Sequence, residues 1–247
     1  MKKHAGLFMA VGILVIAGLV TFCLSLLRQL SPPKTIERFS QIFYATRPYS
    51  NTYFLGIQSG QYPTDNWVMQ EIIAEIKPDY IIETGTALGG TALFYAMLLE
   101  NVNENGKVIT IDIAPDMPDP RTEGFKAWQE RVEFIRANCV SLNLVNRLAQ
   151  RVRGHKVLVS LDSAHTRKHV LKELKMYSPL VSVGSYIVVS DTHLGGHPNN
   201  HPSARKGQGP WEAVHAFLMT NKSFEIDHSR EKYLVTQSPS GFLKRVR

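Results

Sequence analysis

Cysteine is nearly absent: the 247 residues contain two, Cys23 and Cys139. Cys23 falls in an apolar N-terminal run and Cys139 lies deep in the remaining chain, so neither a disulfide framework nor a zinc spacing can be drawn. That usage fits a reducing compartment. Internal repeats and low-complexity tracts are also missing, which excludes solenoid and array architectures. The dinucleotide fingerprint GxGxxG is missing too. Gly85, Gly89 and Gly90 give GxxxGG instead, which argues against a nicotinamide-dependent oxidoreductase. Lys and Arg outnumber Asp and Glu by 28 to 21, a net charge of +7. Yet no basic stripe interleaved with aromatics is present, so nucleic acid is not an expected partner. The small basic clusters at 151–156, 167–175 and 244–247 suit an anionic membrane surface or simple solvation.

Charge is absent from residues 6–27, a 22-residue apolar run behind Lys2 and Lys3. Such a run is long enough to span a bilayer as a helix. Phe22, Leu24, Leu26 and Leu27 offer no small-residue cleavage pattern, so an uncleaved single-pass anchor is expected rather than a signal peptide. Arg28, Lys34 and Arg38 outnumber Lys2 and Lys3, which places the following domain on the cytoplasmic side. Residues 1–5 form a tail and 28–62 a linker and arm. Ser31-Pro32-Pro33 reads as a short stiff linker, and residues 35–44 as an amphipathic helix. The aromatic, glycine-containing stretch 49–62 reads as a loop able to cover a pocket, or as a packed arm.

The remaining chain, 63–247, alternates between strand and helix patterns. A helix over 63–77 ends at Pro78. Strands are expected at 80–82, 107–111, 132–135, 156–161 and 185–189, with helices at 123–129, 141–151, 168–177 and 211–220. A proline-rich loop occupies 115–120. Short final strands are expected at 224–227, 232–236 and 242–246. Repeated βα units predict a parallel sheet with helices on both faces, and the last strands an antiparallel edge hairpin. About 210 residues outside the anchor suffice for one well-buried α/β domain.

Residues 79–99 organise the rest. An apolar strand runs into Glu83, then the glycine turn, then an apolar helix. Glycine lets backbone approach a ligand, and a helix start offers free N–H groups. Glu83 at the strand tip suits a cofactor bearing a cation and hydroxyls, such as S-adenosylmethionine, better than a pyrophosphate. Ligands of open α/β sheets sit at the carboxyl ends of strands, where this chain carries Glu83, Asp112, Asp162 and Asp191. Asp112, 23 residues beyond Gly89, can accept from ribose hydroxyls or can simply initiate a turn. Asp162 and Asp191 are a pair of hard oxygen ligands suited to Mg²⁺. His165, three residues after Asp162, can take a proton from a hydroxyl near neutral pH; alternatively Asp162 caps a helix and His165 is a surface residue. His193, His197 and His201 match no zinc spacing, and the Gly/Pro/Asn-rich stretch 192–209 reads as a substrate loop.

From about Thr52 to Arg247 the chain resembles the cephalosporin hydroxylase/rhamnosyl O-methyltransferase family, a branch of the class I S-adenosylmethionine-dependent methyltransferases. The resemblance rests on Gly56, Pro63-Thr64-Asp65-Asn66-Trp67, and Pro78 through Thr86 with Gly89-Gly90. It continues through Leu161-Asp162-Ser163-Ala164-His165, His169-Val170-Leu171 with Glu173-Leu174, Gly184-Ser185-Tyr186 and Asp191-Thr192. Gly209 through Ala213 and Gly241 through Arg245 complete it. It implies a Rossmann-like, seven-stranded, mostly parallel sheet. It also implies S-adenosylmethionine beside Glu83, Gly85, Thr86, Gly89 and Asp112, Mg²⁺ on Asp162 and Asp191, and His165 as general base. The expected acceptor is a hydroxyl of a sugar, glycolipid or related metabolite, small or lipid-linked. One departure stands out: the family places an acid immediately before the second metal aspartate, and this chain has Ser190, a neutral and weaker ligand. A non-catalytic membrane-anchored module therefore remains an alternative. Self-association into a homo-oligomer is left open.

Overall fold

The computed structural model describes residues 2–29, 31–114, 116–202 and 204–247, with side chains from residue 12 onward. Met1 of the expected tail, Pro115 of the proline-rich loop and Ser203 of the histidine-rich loop lie outside the described residues. Helix α1 covers Lys2–Gln29. Its stretch Gly12–Gln29 has a mean hydropathy of 1.8, is not buried within the fold, and suffices by length and composition to cross a membrane. Helix α2, Pro32–Thr46, begins after two intervening residues, with prolines in its first turn. Pro32 and Pro33 therefore start a helix rather than form a linker: proline's fixed φ and missing N–H cost nothing in a first turn.

After a 3-10 turn at Pro48–Asn51, β1 (Tyr53–Phe54) and β2 (Ile57–Gln58) pair as a small antiparallel hairpin. The α/β unit follows: α3 (Pro63–Ile76), β3 (Tyr80–Thr84), α4 (Gly90–Val102), β4 (Lys107–Asp112), α5 (Lys126–Arg131) and β5 (Val132–Arg136). It continues with α6 (Leu142–Arg151), β6 (Val157–Leu161), α7 (Arg167–Tyr177), β7 (Tyr186–Val189), α8 (Pro210–Thr220), β8 (Phe224–Ile226) and β9 (Phe242–Arg245). The seven strands lie in the order β5-β4-β3-β6-β7-β9-β8. Strands β3 to β7 are parallel, and β9 runs antiparallel to both β7 and β8.

Strand alternation divides the core between the two faces of the sheet. Ile81, Val108 and Leu158 pack toward α3 and α4, against Ile72, Ile73 and Leu93. Ile82, Ile109 and Val159 pack the other way, against Leu148, Leu174 and Val214 of α6, α7 and α8. These three central strands are apolar at successive positions because both their faces are covered.

Two expectations fail locally. Residues 232–236 form no strand. Leu234 has φ +67, and the backbone there bonds to α3 instead: Thr64 Oγ1 donates to Val235 O at 2.8 Å, and the Gln237 N–H donates to Asp65 Oδ2 at 2.7 Å. Residues 123–129 are not one helix. A 3-10 turn at Pro120–Gly124 gives way to α5 through Phe125, whose backbone is extended.

Candidate active site

Strand order reverses between β3 and β6, since β4 follows β3 on one side and β6 lies on the other. The carboxyl ends of these two strands open the crevice where such sheets bind ligands. There, Gly85 at φ +88 packs so closely on the next connection that a Cβ on it would lie 1.9 Å from Asp162 O. Only glycine fits that contact. The turn is held from behind by a chain of side chains. Thr110 Oγ1 donates to Glu83 Oε2 at 2.5 Å and meets Thr86 Oγ1 at 2.7 Å.

A cavity of about 690 Å³ opens at this end of the sheet. Gly85, Thr86, Asp112, Asp162, His165 and Asp191 all line it. Glu83 and Gly89 do not. Glu83 is 1% exposed and stands one layer back, supporting the turn. Burial pushes its carboxyl up to about 8, opposed by the Thr110 hydrogen bond. Gly89 has φ +90, and its face is closed by Trp128 and Pro118, the nearest contact a Cβ would make being 3.0 Å. Asp112 realises its turn reading, with Oδ1 accepting from Ala114 N at 2.9 Å and Oδ2 from Ala87 N at 3.0 Å. A carboxylate has about four lone-pair sites, so it keeps acceptor capacity toward the cavity.

Asp162, His165 and Asp191, all half-buried, bring one ligand atom each within 4.8 Å of one another. Asp191 sits at φ +59, a conformation uncommon for a non-glycine residue. Its Oδ2 lies 3.1 Å from His165 Nδ1 and its Oδ1 lies 3.6 Å from His193 Nδ1. Removal from water, and then the facing Asp191, hold the Asp162 carboxyl well above the ordinary carboxylate range. Two carboxylates turned toward each other with no intervening cation are electrostatically costly. That arrangement and its oxygen-rich donors fit a hard divalent ion. Ser190 is buried at the end of β7 and is not among the cavity-lining residues.

Several lining residues had no role in the sequence reading. Gln61 Nε2 donates to Asp162 Oδ2 at 2.5 Å. Gln237 Nε2 donates in turn to Gln61 Oε1, while Gln237 Oε1 accepts from Tyr62 N at 3.0 Å. Asp65, buried and pushed up to about 7 by desolvation, closes the chain by accepting from Thr236 and the Gln237 N–H. No spacing signal could expose this relay, because each of its hydrogen bonds joins residues over 100 positions apart. The aromatic arm was legible as a pocket cover, and Tyr49, Gln58 and Tyr62 do line the cavity, joined by Tyr44 from α2. Tyr44 and Tyr49 stack at 5.5 Å, and Tyr62 lies 5.5 Å from the His193 ring. Tyr62 Oη and His193 Nε2 are buried without a hydrogen-bond partner among the described residues. His193 donates Nδ1–H to Gln237 O at 2.8 Å, and burial lowers its pKa. His201 also lines the cavity, whereas His197 turns to Glu212 at 2.7 Å.

Residues 47–246 match the family described as Rhamnosyl O-methyltransferase/CmcI. The chain belongs to this family. Rhamnosyl O-methyltransferase of Mycobacterium tuberculosis is 32% identical over 214 residues, covering 85% of this chain and 84% of that protein. The Mycobacterium leprae protein of the same description is 34% identical, covering 85% and 90%. A solved structure of CmcI with Mg and SAM superposes with a TM-score of 0.58 at 17% identity, over 80% of this chain and 78% of that one. An apo structure of CmcI gives 0.60, also at 17%, over 80% and 77%. These structures share the fold, a Rossmann-like methyltransferase sheet. Family membership makes this chain an S-adenosylmethionine-dependent O-methyltransferase and removes the nicotinamide-dependent alternative.

Proposed function

We propose that the protein is a membrane-anchored enzyme that methylates a sugar hydroxyl with help from Mg²⁺. One observation carries this reading: Asp162, His165 and Asp191 converge beside the Gly85 turn, in a single cavity. S-adenosylmethionine supplies an electrophilic methyl group when bound, and the turn at Gly85–Ala87 with Asp112 is the seat that fits it. Mg²⁺ supplies Lewis acidity that makes a hydroxyl easier to deprotonate, and Asp162 and Asp191 are the residues that would hold it.

The chain's own groups then have distinct tasks. Asp191 Oδ2 stands 3.1 Å from His165 Nδ1; a proton kept on that nitrogen leaves Nε2 as the lone pair that takes the acceptor's proton. Gln61 fixes one oxygen of Asp162 and leaves the other for a cation. The stacked Tyr44–Tyr49 pair offers an apolar face suited to the C–H face of a sugar ring. The unpartnered Tyr62 hydroxyl and His193 Nε2 supply polar contacts for its oxygens. The named mycobacterial relatives act on rhamnosyl groups, which agrees with this wall. Because α2 follows α1 after two residues, carries exposed Phe39 and Ile42, and presents Tyr44 to the cavity, the arm connects the anchor to the acceptor wall. A lipid-linked sugar is therefore the favoured acceptor, with the domain in the cytoplasm where the methyl donor is made.

Ser190, where the family has an acid, is the feature on which a rival reading would rest, a module that keeps the fold without the reaction. The deciding experiment incubates the full-length protein in detergent with labelled S-adenosylmethionine and Mg²⁺, against lipid extracts and soluble sugar fractions. Label should enter the lipid fraction, at a rate that falls steeply on chelation and in His165→Ala. Transfer indifferent to both treatments would sink the mechanism, and no transfer to any fraction would favour the module.

A further inference from the structure

Behind the cavity wall lies a second cluster of donors that the proposed reaction does not use. Glu173 of α7 is 0% exposed, and its Oε2 has no hydrogen-bond partner among the described residues. Its Oε1 accepts from Ser163 Oγ at 2.8 Å and from Cys139 Sγ at 3.4 Å. His169, one turn earlier on the same helix face, brings Nε2 to 3.5 Å from Cys139 Sγ and 3.7 Å from Glu173 Oε1. Ser163 Oγ lies 3.0 Å from that Nε2. Every partner of this fully buried carboxylate is thus a neutral donor, or a histidine that is charged only when protonated.

We propose that Cys139, His169 and Glu173 form a second metal site, with Ser163 or a water completing it, that takes a borderline-soft divalent cation of the zinc class. Tetrahedral zinc, with Zn–S of about 2.3 Å and Zn–N or Zn–O of about 2.0–2.1 Å, sets its ligand atoms about 3.3–3.6 Å apart. The three separations here, 3.4, 3.5 and 3.7 Å, lie close to that edge. Thiolate and imidazole select zinc over magnesium, whereas the oxygen-rich Asp162 and Asp191 select the reverse. Entry is open from the cavity, which Cys139, Ser163 and His169 line. The cation would tie α7 to the connections after β5 and β6, the second of which carries Asp162 and His165. Its task is to hold that connection in place. Burial and the neighbouring Glu173 push the free thiol up to about 12, so binding must release the thiol proton to solvent and weaken as pH falls.

The test uses the full-length Cys23→Ser protein in detergent, where Cys139 is the sole remaining cysteine. After chelation and buffer exchange it is titrated with Co²⁺, which reports a thiolate ligand by a sulfur-to-cobalt charge-transfer band. The expected result is a band saturating at one equivalent, displaced by Zn²⁺, lost on acidification, kept in an added Asp162→Asn and lost in an added Glu173→Gln. Absence of the band in folded Cys23→Ser protein would show a hydrogen-bonded cluster only, and would overturn the site. A band lost in Asp162→Asn but kept in Glu173→Gln would also overturn it, by pairing the Cys139 thiolate with Asp162 instead of Glu173. None of these readouts depends on methyl transfer, so they stand apart from the fate of the proposed reaction.

Discussion

Gly85 and Gln61 both touch Asp162, and they reach it by different means. Gly85 does so through backbone, in a turn closed within the neighbouring connections after β3 and β6. Its geometry is local, enforced by a positive φ and the space where a Cβ would stand. Gln61 does so through a side chain, as one link in a relay that runs to Gln237 and Asp65. One wall of the cavity is thus set by a short turn packed on one neighbouring connection, and the other is assembled from positions 44 to 237. The first wall can seat a cofactor shared by many folds of this kind. The second is where we propose the acceptor is chosen, and it includes the residues nearest the apolar N-terminal helix in sequence.

The comparison makes separable claims about the two walls. The largest effect is expected at the shared carboxyl: Asp162→Ala or chelation should lower turnover about 10³-fold, several kcal/mol of lost Lewis acidity. Calorimetric affinity for S-adenosylmethionine should survive. If cofactor affinity falls with turnover, the two walls are not independent. Next, His165→Ala should reduce kcat about 10²-fold with little change in KM for the acceptor, read by steady-state kinetics. Gly85→Ala should break both walls together, because its Cβ meets Asp162 backbone. A loss of about 2–4 kcal/mol in denaturant unfolding is expected, and an undisturbed melt would disprove the close contact. Gln61→Ala should be milder, about tenfold in kcat, the worth of one charge-assisted hydrogen bond. An unchanged cofactor affinity in that variant would sharpen the division.

The smallest effect concerns Glu83. Its folded pKa of about 8 lies above an unfolded value of about 4.3, so the folded state holds the proton more tightly. The stabilising contribution is full below the unfolded value and is lost as pH rises toward 8, at up to about 1.4 kcal/mol per pH unit. Glu83→Gln should flatten stability across that window in unfolding titrations. An identical slope in the variant would assign the pH dependence elsewhere, with Asp65 next in line.

Much of the fold was legible because its signals are local. Ile81-Ile82 reads as a doubly covered strand, Pro78 stops α3 after Lys77 at φ +50, and the final antiparallel pairing follows from closely spaced strands. The errors came where distant groups compete for backbone. Residues 232–236 have strand composition, yet Thr64 takes the Val235 carbonyl, and Asp65 takes the Thr236 hydroxyl and the adjoining Gln237 N–H. Within the site, strand-end acids were readable because open α/β sheets bind ligands there. Glu83 looked like a lining residue from its position, but a strand tip can face either the crevice or the sheet interior, and Thr110 draws it inward.

The sequence by itself determined the parallel sheet, the glycine turn, the apolar N-terminal helix and the family, since each rests on periodicity, φ restrictions or ordered motifs within short spans. Tertiary structure alone decided which acids meet. Asp162 and Asp191 approach only because β6 and β7 are neighbours, and Gln61 and Gln237 join them only because the arm and the C-terminal loop fold over the same strand ends. The Cys139, His169 and Glu173 cluster belongs to this second class. His169 and Glu173 share one helix face at i,i+4, but Cys139 comes from a loop 30 residues earlier, and packing alone brings it to them.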